Sequence, residues 1–294
     1  MAAVPLLVGC DFSSRPDKRK PVVIAHGRLA DGGVHLVRLE RLESLEAFGH
    51  WLAQPGDWVG GFDFPFGLPR ELVLHLGWPV VWQDCIRHYA GLSRQDIRNR
   101  FAAFCAARPV GAKFAHRATD GHARSSPSMK WVNPPVAYML HAGVPLLIDA
   151  GVHLPGQHAG APGDVDRQGR ARRVALEAYP GLLARELLGY ASYKSDARPQ
   201  QTAQRQSRRE ALLEALEQGR TRLGVRLYLS DPQRETLCHD ASGDSLDAVL
   251  CLLQAAWGQQ RGWPWYGLPA TLDPLEGWIV SAVPPTDPPA VSST

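Results

Sequence analysis

Two apolar runs in this chain end in an aspartate. Leu6-Leu7-Val8-Gly9-Cys10 leads into Asp11, and Trp58-Val59-Gly60-Gly61-Phe62 leads into Asp63 and then Phe64-Pro65. A buried strand that ends in a carboxylate presents that charge at the rim of its sheet. If the two strands are parallel neighbours, the carboxylates stand side by side, because adjacent strands are about 4.8 Å apart. Paired catalytic metal ions sit roughly 3.5–4 Å apart, so the two runs supply half of a two-metal site. Three more acids stand at element ends. Glu177 closes Arg173-Val174-Ala175-Leu176, and Asp244 and Asp247 open an apolar stretch that runs through Leu253. A spacing of three puts the last two on one side of a helix's first turn. Mg²⁺ and Mn²⁺ are hard ions that want oxygen ligands. Two of them bind a phosphodiester, activate water and neutralise the leaving oxygen.

Each acid also has a structural reading. Asp11 can cap the turn at Ser13 and Ser14. Glu177 can pair with Arg172 or Arg173. Asp244 is a natural N-cap with Asp247 at the N3 position. Asp63, before Phe64-Pro65-Phe66, has the fewest structural uses.

The surrounding pattern places these acids. Residues 4–11 read as a buried strand and 13–20 as a polar turn. A strand over 21–29, a turn at Asp31-Gly32-Gly33 and an alternating strand over 34–39 form a hairpin. Ser44 opens a helix with Leu45, Phe48 and Leu52 on one face, and residues 57–63 return as a strand. A right-handed crossover makes that fourth strand parallel to the first. Sites in such sheets lie beyond the carboxyl ends of parallel strands, where Asp11 and Asp63 fall. Residues 64–170 form an insertion, with helices at 69–76 and 93–108, that covers the site. A strand over 173–177, helices over 181–188 and 207–217, and a helix from Asp244 complete a single domain over 1–283. The Pro/Ser/Thr-rich segment 284–294 is expected to be a flexible tail.

The 294 residues, 45% hydrophobic and 21% charged, are those of a globular chain with a sizeable core. A net charge of +3 does not by itself name a partner. Its distribution says more. Residues 87–130 hold nine Lys/Arg against two Asp/Glu, and 167–226 hold thirteen against six. Basic flaps around an acidic site suit a polyanion; the plain alternative is an arginine-rich surface. Arg117, Arg124 and Lys130 fall in a polar loop over 116–133. Lys194 and Arg198 can form a phosphate clamp, and Trp131 can stack on a base. His239 has no Cys or His partner at zinc spacing. No glycine-rich phosphate loop or GxSxG motif occurs. Five cysteines, an odd number without CxxC spacing, imply a reducing compartment. With no signal peptide and no apolar run of membrane-spanning length, the expected location is the cytoplasm, away from membranes.

The ordered segments "VGCDFSS", "GFDFPFGLP", "ALEAYPGLL", "YKSDAR" and "DSLDAVLCLLQAAW" resemble the motifs of the domain-of-unknown-function 429 family. Its members are predicted nucleases of the ribonuclease H-like superfamily. The resemblance spans residues 8–257. It implies an α/β ribonuclease H-like mixed sheet flanked by helices and a divalent-metal carboxylate site. Asp11 matches the acid ending the first strand, and Asp63 the acid ending the fourth. Asp247 matches the acid on the last helix. In related Holliday-junction resolvases that acid follows a histidine by three residues; here Asp244 stands at that position. Glu177 belongs to the family's own Glu-x-Tyr-Pro motif.

The expectation is a nuclease acting on a nucleic acid or nucleotide, with two Mg²⁺ or Mn²⁺ ions. Asp11 bridges the ions, and Asp63 and Asp247 each help hold one. Glu177 or Asp244 completes the shell or orients water, and Arg117, Arg124, Lys130, Lys194 and Arg198 meet phosphates. One rival is an ATP-dependent phosphotransferase of the actin-like/sugar-kinase type. Its first phosphate loop would be Asp11-Phe12-Ser13-Ser14, and the nearest second loop is Asp149-Ala150-Gly151. The other rival is a non-catalytic nucleic-acid-binding module.

Overall fold

The structure, a computed structural model, describes residues 5–282; the tail expected at 284–294 lies outside them. Among the described residues a six-stranded mixed sheet runs in the order β5-β4-β1-β2-β3-β6. Strand β1 (Leu6–Asp11) pairs antiparallel with β2 (Val22–Ala30), which pairs antiparallel with β3 (Gly33–Leu42). The hairpin between them turns on Asp31 (φ 53°) and Gly32 (φ 76°). Two positive φ values in a two-residue turn match the right-handed twist of the flanking strands. Helix α1 (Leu45–Ala53) follows, with the Ser44 hydroxyl accepting from the Ala47 N–H as its N-cap. It returns the chain to β4 (Trp58–Phe62), parallel to β1, and β5 (Arg173–Glu177) extends the parallel set. The α/β arrangement is ribonuclease H-like, as expected. The short edge strand β6 (Arg226–Tyr228), parallel to β3, was not legible in the sequence.

The strand alternation decides which way the acids point. Leu7 and Val59 belong to the core shared with helix α10 (Asp244–Arg261), whereas Val8, Cys10 and Phe62 belong to the core on the other face. Asp11 and Asp63 follow the parity of Leu7 and Val59, so they lie on the α10 side. On that same side Gly9 sits opposite Gly61 in the β1–β4 register. A Cβ on Gly9 would lie 2.0 Å from the Ala248 carbonyl oxygen, and one on Gly61 would lie 2.4 Å from that of Cys251. The paired glycines let the α10 backbone press directly onto the sheet. That close approach brings the first turn of α10 to the carboxyl ends of β1 and β4.

Between β4 and β5 stand five helices: α2 (Arg70–His75), α3 (Trp82–Ala90), α4 (Arg94–Ala106), α5 (Ala118–Ala123) and α6 (Val136–Asp149). Of these, α2, α3, α4 and α6 cover the sheet face opposite α10 through an aromatic-rich core that includes Phe64, Trp82, Tyr89 and Phe101, whereas Ala123 of α5 packs with Leu182 and Ile279. Helix α4 begins at a Ser93–Asp96 capping box. Helix α6 runs through Pro145, which reads in sequence as a breaker. Asp149 is its last residue, and Gly151 (φ 69°) lies in the turn beyond its end. The Asp149-Ala150-Gly151 segment is therefore a helix terminus, not the phosphate loop that the phosphotransferase reading needs. Helices α7 (Pro180–Leu188), α8 (Ala203–Glu217) and α9 (Asp231–His239) pack with α10 on its side of the sheet. No described helix is long and apolar enough to cross a membrane, and all five cysteines are buried free thiols.

Candidate metal centre

Asp11 is the last residue of β1, and Asp63 follows the last residue of β4. The Asp63 N–H donates to the Cys10 carbonyl at 2.9 Å, which carries the strand pairing one step past β4 and fixes the two acids side by side. Asp247, fully buried, enters from the first turn of α10. One carboxylate oxygen from each of Asp11, Asp63 and Asp247 lies within 4.8 Å of the others. Among the described residues no protein group donates to the Asp11 or Asp63 carboxylates. Asp247 differs: Tyr193 Oη donates to its Oδ1 and Lys194 Nζ to its Oδ2. Hard oxygen donors from three elements, two of them without protein partners, fit a divalent cation.

Burial pushes the Asp63 carboxyl up to about 7, with the Asp247 carboxylate adding to the rise and Lys194 opposing it. Burial also raises Asp11 well above the ordinary carboxylate range; Asp247 again adds and Lys194 again opposes. Asp11 and Asp63, crowded against Asp247 in a partly dry rim, resist ionising together. A bound cation reverses that tendency, because ligation requires the deprotonated form.

Asp244 is neither the cap nor one of the three clustered acids. The N-cap of α10 is Gly243 (φ 77°), and the helix start is also met by Asp240, whose Oδ2 accepts from the Ser245 N–H at 2.9 Å. A left-handed residue at that position lets Asp244 turn inward. It is fully buried, with Oδ1 accepting from Lys20 Nζ at 2.6 Å and Oδ2 without a partner among the described residues.

Glu177 is not beside Arg172 or Arg173 but beside Arg117. Arg117 Nη1 donates to Glu177 Oε2 at 2.8 Å and Nη2 to Oε1 at 2.7 Å, while the Phe66 N–H donates to Oε2 at 2.9 Å. Both carboxylate oxygens are thus occupied, and Glu177 lies outside the three-acid cluster. Burial raises Glu177, and the Arg117 guanidinium pulls it back. Arg117 also donates to Asp120 Oδ1 and to the Glu276 carbonyl. It is buried, which corrects its placement in a solvated phosphate-binding loop. Arg124, in a left-handed conformation at the end of α5, lines a separate cleft with Arg185 and Arg222. Lys130 is half-buried and its carbonyl accepts from the Ala137 N–H. Arg198 is exposed beside a cleft of about 740 Å³ shared with Arg19, Lys20 and Asp196.

Lys20 was missed. The signal was available: Arg15, Lys18, Arg19 and Lys20 follow directly on the strand that ends in Asp11, at the same rim. Arg209 was missed as well. It is buried, donating from Nε to the Cys238 carbonyl and from Nη1 to the Tyr193 carbonyl at 2.8 Å. A cavity of about 310 Å³ adjoins the acids, walled by Phe64, Pro65, Val136, Met139, Tyr179 and Ile279 and closed at one end by Asp63, Lys194 and Asp247. A larger cleft of about 690 Å³ lies at the opposite rim beside Asp57 and Arg172, away from all three clustered acids, so size alone does not locate the site.

The family described as "Protein of unknown function (DUF429)" matches residues 9–265. No curated protein and no solved structure matches the chain.

Proposed function

This chain belongs to the DUF429 family, and for it we propose metal-dependent hydrolysis of phosphodiester bonds in nucleic acid. The family description assigns no activity, so the reading rests on the site. The observation that carries it is the pair Asp11 and Asp63, adjacent on parallel strands and free of protein donors, with Asp247 closing the group from a third element. Crowding the buried Asp11 and the half-buried Asp63 beside Asp247 without protein donors costs stability, and a binding module without chemistry has no use for that cost. Asp11 and Asp63 would hold a Mg²⁺ or Mn²⁺ ion, with Asp247, bound by Tyr193 and Lys194, beside them. When bound, such an ion activates water and neutralises developing charge on a phosphate.

The flanks divide the substrate between them. Arg19, Lys20 and Arg198 line a cleft that Lys20 joins to Asp244 and suit the phosphate backbone. The cavity on the other side is largely apolar in its walls, with Ser125, Ser126 and the Arg117–Glu177 pair among its lining, and its volume is at the lower end of small-ligand pockets, which suits one nucleotide. Lys194, between the two, faces the phosphate.

The test is a panel of end-labelled single-stranded and duplex DNA, RNA and RNA–DNA hybrids, incubated with Mg²⁺, Mn²⁺ or EDTA. Cleavage of at least one substrate is expected with metal and none with EDTA. Binding that never leads to metal-dependent cleavage identifies a binding module instead.

A further inference from the structure

We propose that Lys194 is a permanent cation of this centre and that the centre takes one divalent ion, not two. The inference rests on the metal-centre reading above and revises the number of ions that the paired strand-end aspartates suggest. Its basis is how firmly the lysine is built in.

An ordinary surface lysine is held by nothing but its head. Lys194, half-buried, is held at its backbone, its stem and its head. The Tyr193 carbonyl before it accepts from the buried guanidinium of Arg209. The Ser195 N–H after it donates to the Ala241 carbonyl at 3.0 Å. Its stem lies across Gly243, where an added Cβ would meet Lys194 Cβ at 2.7 Å and Cδ at 2.9 Å. Glycine at that position both allows the positive φ and leaves room for the stem. The ammonium group then donates to Asp247 Oδ2, and the neighbouring Tyr193 hydroxyl takes Oδ1. Asp247 is therefore committed to protein donors on both oxygens. A second ion would have to displace an ammonium group that the backbone and α10 hold in position.

Two of the four acids at this rim already hold a protein cation, Asp244 through Lys20 and Asp247 through Lys194, which leaves places for one divalent ion. Asp244 Oδ2 also has no partner among the described residues, but Asp244 lies outside the three-acid cluster; within that cluster the free ligands are the Asp11 and Asp63 carboxylates. Lys194 supplies, next to Asp247, the positive charge that a second ion would bring to a phosphate oxygen.

The test counts Mn²⁺ by calorimetric titration of the full chain, with no substrate present. The wild type is expected to bind one ion per chain. Lys194→Met keeps the stem and removes the charge, which frees Asp247 Oδ2; it is expected to bind two ions. Lys194→Arg keeps the charge and is expected to bind one. A count of two in the wild type overturns the inference and leaves the metal centre standing, and this holds even if Lys194→Met does not fold. A count of one in a folded Lys194→Met overturns it as well. No binding at all by the wild type removes the metal centre itself, and the inference with it.

Discussion

Asp11→Asn is expected to lower metal-dependent cleavage by about 1,000-fold, the scale on which electrostatic groups at a reacting centre act, while making the metal-free protein more stable. The sign of the stability change follows from burial, which raises the Asp11 carboxyl, with Asp247 adding to the rise. A carboxyl whose folded-state pKa is raised contributes stability that is fully present below the unfolded value near 3.9. That contribution is lost as pH rises through the folded value. At pH 8 the ionised side chain therefore works against the fold, and the neutral amide removes the repulsion. In EDTA at pH 8 the variant should melt several degrees above the wild type, on the scale of a few kcal/mol for a chain of this size. The gain should shrink toward pH 4. Added Mn²⁺ should raise the melting temperature of the wild type far more than that of the variant. Undiminished cleavage by Asp11→Asn would take Asp11 out of the centre.

Arg117→Met should have the largest effect on stability. The guanidinium reaches Glu177 through two nitrogens, Asp120 through two, and the Glu276 carbonyl through one. It ties the end of β5 to α5 and to the segment before residue 277. Through the Phe66 N–H on Glu177 it also holds the loop that carries Asp63 out of its strand. Removing the cation leaves two buried carboxylates without their partner, which costs about 3–5 kcal/mol. Chemical denaturation should show that loss, and Arg117→Lys should recover only part of it, because an ammonium group cannot reproduce the bidentate geometry. A loss under about 1 kcal/mol, together with weakened substrate binding, would return Arg117 to the role of a phosphate contact.

The arrangement of β1 to β4 was legible because that part of the chain obeys simple periodicities. An apolar run, a polar turn, a two-residue hairpin and an amphipathic helix leave one reasonable connection from β1 to β4. The placement of Asp11 and Asp63 followed from that. The glycines opposite each other in β1 and β4 are visible in the sequence, but their meaning is not, since it depends on α10 lying directly over them. Helix α6 was obscured by Pro145 and by an apolar composition with no clear stripe. Helix α3 was obscured by the Pro79-Val80-Val81 approach, which reads as extended chain.

The errors at the site have one physical origin. Sequence places a charged residue on an element; it does not say which opposite charge the fold will bring to it. Arg117 sits in a polar stretch and looks solvated, yet Glu177, 60 positions away, draws it inside. Asp244 looks like a cap because caps are usually Asp or Ser. Gly243 in a left-handed conformation takes that position instead, and the side chain turns to Lys20, 224 positions away.

The central claim is that Asp11 and Asp63 hold a divalent ion. Its most direct test is diffraction from crystals grown or soaked in Mn²⁺, collected for anomalous signal. The account expects one anomalous peak at the carboxyl ends of β1 and β4, with oxygens of Asp11 and Asp63 about 2.0–2.3 Å from it, the spacing of hard ions and carboxylates. Lys194 should remain on Asp247. A well-ordered centre with no peak there at saturating Mn²⁺, or a peak at another group of ligands, would contradict the account.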